Sequence, residues 1–106
     1  MKFLFKASYN AEGLQGVKSQ GANARISAAK EMCESLGGSL EAFYFAFGDT
    51  DAYVLVDLPD REAAAALAMA VGASGRLDKT ETVVLLTADE FDQALKRQVT
   101  YRAPGQ

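Results

Sequence analysis

One stretch, EAFYFAFGDTDAYVLVDLPD (Glu41–Asp60), constrains the fold more than any other part of the chain. It reads as two β-strands around a short turn, because aromatic and β-branched residues flank Gly48-Asp49-Thr50-Asp51. Its side chains are apolar on both faces, whereas a half-solvated antiparallel sheet alternates apolar with polar. A hairpin turning over Gly48–Asp51 is predicted to pair Phe47 with Ala52, Phe45 with Val54 and Phe43 with Val56 on one side, the core side. The other side then pairs Tyr44 with Leu55, Ala46 with Tyr53 and Ala42 with Asp57, which makes Tyr44 and Tyr53 diagonal neighbours. That second side needs a cover.

The rest of the chain supplies the frame. Lys2–Tyr9 alternates Phe3, Phe5 and Ala7 against Leu4, Lys6 and Ser8, the pattern of a strand. Asn10 is placed to cap a helix. The helical region from Ala11 to Leu36 carries two apolar stripes, Leu14 with Val17 and then Ile26, Ala29, Cys33 and Leu36. At about 100° per residue these stripes differ in phase by roughly 120°, so a break is expected near Gly21. Leu36-Gly37-Gly38 ends the helix with glycine available for a left-handed cap. Strands are predicted over Ser39–Phe47 and Ala52–Leu58. Asp60 caps an alanine-rich helix to Ser74, Arg76–Thr87 forms a fourth strand, and Thr87 with Glu90 makes a capping box for a short helix to Val99.

The order β-α-β-β-α-β with right-handed crossovers is an α+β ferredoxin-like sandwich with an antiparallel sheet in order 4-1-3-2, plus a short C-terminal helix. The domain is expected over residues 1–99, with 100–106 as a tail. Both main helices lie on one sheet face and leave the other bare. Burying a side chain such as Leu55 gains about 1.5–3 kcal/mol, so several apolar groups on that face favour a cover. The simplest cover is a second copy of the chain, sheet against sheet; the alternative is that Glu90–Tyr101 folds back over its own sheet.

Inventory narrows the chemistry. The chain has no histidine and no tryptophan, so zinc sites built on imidazole, haem ligation by histidine, Ser-His-Asp triads and histidine bases are excluded. The net charge is −3 and no basic run exceeds Lys96-Arg97, so nucleic acid is not an expected partner. The longest apolar run, Ala63–Ala73, is too short to span a bilayer, so no membrane partner is expected. The N-terminus lacks the pattern of a signal peptide and the lone Cys33 cannot form an internal disulfide, which points to the cytoplasm.

The leading candidate site is the second sheet face, with Lys6, Ser8, Tyr44, Tyr53 and Asp57 as polar groups among apolar neighbours. The two tyrosines are suited to stack on a flat organic ligand, and Lys6 to serve as an acid or phenolate partner. Set against this, the same residues are ordinary amphipathic interface groups. A weaker anion site is Asn23 and Arg25, at the helix restart in QGANAR. Asp49 and Asp51 fall far short of a calcium loop and are explained by turn chemistry. No metal site is expected. Cys33 sits on the apolar stripe as inert core.

ASYNAEGLQG, GANAR, ESLGGSLEAFYFAFGDTDAYVLVDLPD, AAAALAMAVGASG and LLTADEFDQAL together resemble the GYD-domain family, small bacterial and archaeal proteins grouped with the dimeric α/β-barrel superfamily. The naming motif falls at Gly48, Thr50 and Asp51, with threonine where the family usually has tyrosine, so that aromatic hydroxyl is absent. The resemblance implies a homo-oligomer with a barrel between facing sheets; the wider superfamily includes haem enzymes as well as cofactor-free ones, and with no histidine in this chain no cofactor is expected. It names no activity. Three functions follow as expectations: a small-molecule-binding protein with its pocket at the dimer barrel, a cofactor-independent monooxygenase- or isomerase-like enzyme on a small aromatic or acidic metabolite, or an assembly protein without a ligand.

Overall fold

A computed structural model describes residues 1–106. Its elements are β1 (Lys2–Tyr9), α1 (Ala11–Gln20), α2 (Ala22–Ser35), β2 (Ser39–Phe45), β3 (Ala52–Asp57), α3 (Arg61–Gly72), β4 (Leu77–Leu85) and α4 (Ala88–Leu95). The four strands form one antiparallel sheet in the order β2-β3-β1-β4, which is the expected 4-1-3-2 read from the other edge. The fold is ferredoxin-like.

Local signals set most of the boundaries. The Asn10 side chain accepts from the Gly13 amide at 2.9 Å and starts α1. Gly21, at φ +90°, separates α1 from α2, a backbone conformation that other residues adopt only with strain. Asp60 accepts from the Ala63 amide at 2.8 Å at the start of α3. Thr87 and Glu90 exchange both bonds of the capping box on α4. Gly37, at φ +79°, closes α2 as expected.

The core lies between one sheet face and the helices. Phe3, Phe5 and Val56 from the sheet meet Cys33 of α2 and Ala63, Ala64 and Leu67 of α3, with Leu58 at the edge. The α2 stripe of Ala29 and Cys33 is buried as its spacing predicts. The α1 stripe is not: Leu14 is exposed and Val17 only half-buried, and α1 approaches Tyr9 of β1 and the backbone of Arg76, just before β4, through Gly13 instead.

The hairpin departs from the predicted register. Phe45 pairs with Ala52, Tyr44 with Tyr53 and Phe43 with Val54, two positions away from expectation. The cause is tertiary. Asp51 belongs to the strand that β1 holds: its amide donates to the Ala7 carbonyl at 2.9 Å and its carboxylate accepts from the Tyr9 amide at 2.9 Å. The Ala46 amide then donates to the Asp51 carbonyl at 2.7 Å, so the chain turns over Phe47–Thr50. Phe47 therefore sits exposed at the loop tip rather than in the core. A shift of two preserves which side each residue faces, so the two faces survive the register error.

A bulge between Leu40 and Ala42 makes the second adjustment. Leu40 comes opposite Val56 and packs against the core, while the extra residue, Glu41, reaches Lys2 on the open side. Without the bulge, strict alternation would aim a carboxylate at the core.

The C-terminal segment does not cover the sheet. Helix α4 ends at Leu95 rather than Val99, none of its residues is buried, and Phe91, Leu95, Val99 and Tyr101 are exposed. The radius of gyration is 16.7 Å, against about 13 Å for a compact domain of this length. The C-terminal part projects from the body.

Candidate functional site

The open side of the sheet is set by alternation along each strand. Lys2, Leu4, Lys6 and Ser8 of β1 stand beside Leu55, Tyr53 and Asp57 of β3 and Val83, Leu85 and Glu81 of β4. Tyr44 of β2 lies directly opposite Tyr53, and neither ring is covered, with 72% and 38% of their surfaces exposed.

Lys6 is the central polar group. It is flanked by Tyr53 on β3 and Glu81 on β4, with Nζ 5.9 Å from the Tyr53 ring centroid and 3.4 Å from the Glu81 carboxylate. A cation near an aromatic face and a carboxylate holds the lysine side chain across the strands. Lys6, Tyr53 and Tyr44 thus form a row running across three strands. This part of the predicted site is brought together.

Asp57 is not part of that row. It stands four positions beyond Tyr53 on β3, about 13 Å along a strand. Its carboxylate accepts from Lys2 Nζ at 3.1 Å and from the chain's amino group at 3.1 Å, and Lys2 also bonds Glu41. The Lys2 hydrogen bond, then that of the terminal ammonium, holds the Asp57 carboxyl below the usual carboxylate range. Hydrogen bonds to Glu41 and Asp57 push the Lys2 ammonium up. These groups form a separate ion cluster at one end of the face.

Ser8 is also committed elsewhere. Its hydroxyl donates to the Asp49 carbonyl and ties the hairpin loop to β1. The Asp51 carboxylate accepts from the Tyr9 amide and so serves the loop's own architecture. No three Cys, Asp or Glu side chains are grouped to hold a metal ion.

The anion candidate splits in two. Asn23 is exposed on α2, while Arg25 is half-buried and turned toward the sheet side, so they do not converge. Arg25 instead lines a cavity of about 440 Å³ between α1, α2, α3 and the start of β4. A smaller space of about 80 Å³ adjoins it against the sheet and shares Tyr9, Arg25, Met32, Val71 and Leu77. Sequence reasoning missed this cavity, which exists because Gly13, Gly16, Ala28 and Ala70 supply too little volume to fill it. It also missed Lys2 and Glu81, although the alternation that exposes Lys6 exposes Lys2 as well.

Cys33 is wholly buried, and desolvation pushes its thiol up, so it is not a ready nucleophile. No helix is long and apolar enough to cross a membrane.

No curated protein and no solved structure matches the chain. The GYD domain family model matches residues 3–95, nearly the whole chain, and the protein belongs to that family.

Proposed function

We propose that the chain works as a homodimer, or a higher oligomer built on one, with open sheet faces apposed and a small organic molecule bound between them. The observation that carries this reading is the exposed Tyr44–Tyr53 pair, set among half-buried Leu4, Leu55, Val83 and Leu85 on the sheet face away from the helices. Apolar surface of this kind marks an interaction site.

Size supports a second contribution to the interface. Four strands about 4.8 Å apart and about 23 Å long present roughly 450 Å² of flat area. A stable dimer buries about 800 Å² per partner. The exposed Phe91 and Leu95 of the projecting α4 offer further apolar surface to a second copy. Both the bare face and the extended shape then have one explanation.

The ligand class follows from the row across the strands. Tyrosine rings offer flat apolar faces with hydroxyl edges, and Lys6 adds a cation that Glu81 balances. A flat, largely uncharged aromatic suits such a row. The enzymatic alternative has less support: Ser8, Asp57 and Lys6 each already have partners within the chain.

The test is titration of the assembled protein with 1-naphthol, read by tyrosine fluorescence and by chemical shifts. Saturable binding that Tyr53→Ala removes and Arg25→Gln leaves intact is expected. Binding untouched by Tyr53→Ala, or no binding by an oligomer of verified mass, contradicts the ligand assignment.

A further inference from the structure

We infer that the cavity between α1, α2, α3 and the sheet is a second binding site, selective for a small monocarboxylic acid with an apolar body. It lies on the opposite side of the sheet from the Tyr44–Tyr53 row and does not depend on that reading.

The charge pattern carries the inference. Three cations in this chain are half-withdrawn from solvent: Lys2, Lys6 and Arg25. Lys2 has Glu41 and Asp57, and Lys6 has Glu81. Arg25 has no carboxylate within ion-pair distance, although the chain as a whole carries more acids than bases. A counter-charge stabilises a cation withdrawn from water, and the two other half-withdrawn cations each have one. This one lines a cavity whose walls include no aspartate or glutamate.

The cavity fits a ligand in size and in lining. Its volume of about 440 Å³ falls within the roughly 300–1,000 Å³ of small-molecule sites. Val17, Met32, Val71 and Leu77 form apolar walls, and Tyr9 joins Arg25 in the lining. A guanidinium offers a fork of parallel N–H donors that matches one carboxylate.

The anion's charge is also selected. Arg76, the other cation on the wall, already pairs with Glu12. One uncompensated positive charge matches a monoanion; a phosphate dianion asks for two. The apolar walls favour an acid with an aliphatic or aryl body over inorganic phosphate.

The test uses 4-phenylbutyrate, its neutral analogue 4-phenylbutan-1-ol, and inorganic phosphate, titrated into the full chain by calorimetry and methyl NMR. Phenylbutyrate is expected to bind saturably and to shift the Met32 and Val71 methyl signals while leaving Tyr44 unmoved. Arg25→Gln is expected to weaken it by about tenfold or more, the cost of losing a charged hydrogen-bond pair, and the alcohol to bind wild type at least as poorly. Phosphate is expected not to compete. Gly16 has open space where a side chain would stand, so Gly16→Leu should fill the cavity and abolish binding with the far-UV spectrum unchanged. Absence of saturable binding, equal binding by Arg25→Gln, equal affinity for the alcohol, or displacement by phosphate would each overturn the assignment. If Gly16→Leu does not fold, the Arg25→Gln and alcohol comparisons decide it.

Discussion

Tyr44 stands directly opposite Tyr53 across β2 and β3, and both rings face solvent on the side of the sheet away from the helices. Because Tyr44 makes no core contact, Tyr44→Asp should change protomer stability by no more than about 0.5 kcal/mol, as surface substitutions usually do. It should nevertheless disrupt assembly, since it puts a carboxylate where two apolar faces would meet. Denaturation midpoint and solution mass, measured on the same variant, separate the two effects.

The Lys2–Asp57 pair predicts a specific pH response. Asp57 has its carboxyl held low by Lys2 and the terminal ammonium, so the folded state binds its proton less readily than the unfolded chain. The stabilisation is present above the unfolded carboxyl range and is lost as pH falls through the depressed value. Asp57→Asn should therefore lower the melting temperature at neutral pH and converge with wild type in strong acid. Lys2 is shifted upward, so its contribution is complete below the ordinary lysine range and lost only as pH rises beyond it. Melting curves across pH for wild type and Asp57→Asn check both signs.

Two glycines three residues apart on α1 should respond in opposite directions. A Cβ on Gly13 would lie 2.0 Å from the Arg76 carbonyl oxygen, a backbone atom with no flexible end to move aside. Gly13→Ala should destabilise by about 1–3 kcal/mol, the usual cost of overpacking. Gly16 meets nothing within contact distance, so Gly16→Ala should stabilise by about 0.5–1 kcal/mol through the lower entropy cost of alanine in a helix. Denaturant titration of the two variants makes the comparison.

Cys33 should be silent in the native state. It is buried and its thiol is pushed up by desolvation. Modification by a thiol reagent should proceed only as the protein unfolds, with a rate that rises in parallel with denaturant-induced opening. Rapid labelling of folded protein would contradict the packing of α2 against the sheet.

Much of the fold was legible because it rests on local repetition. The alternation of Phe3, Phe5 and Ala7 with Leu4, Lys6 and Ser8 identifies both faces of β1, and Asn10, Asp60 and Thr87 announce their helices. The register of the β2–β3 hairpin was not legible, since it depends on Asp51 bonding Ala7 and Tyr9, residues more than forty positions away. Ser8 and Asp57 occupied the predicted side of the sheet, yet hydrogen bonds to Asp49 and Lys2 remove them from the tyrosine row. The cavity was hidden for another reason. A space bounded by glycine and alanine is an absence of volume, and no periodicity in the sequence reports where three helices fail to meet. Arg25 stood out by its position at the helix restart, but its direction is a property of the packed structure.

The central proposal, that a second copy covers the open face, is tested most directly by sedimentation equilibrium of the purified protein over a wide concentration range. A mass of twice the 11.3 kDa of the chain, or a multiple of that dimer, is predicted, together with loss of the assembly in Tyr44→Asp. A folded species of 11.3 kDa at every concentration, with Tyr44 and Tyr53 freely quenched by acrylamide, would contradict it.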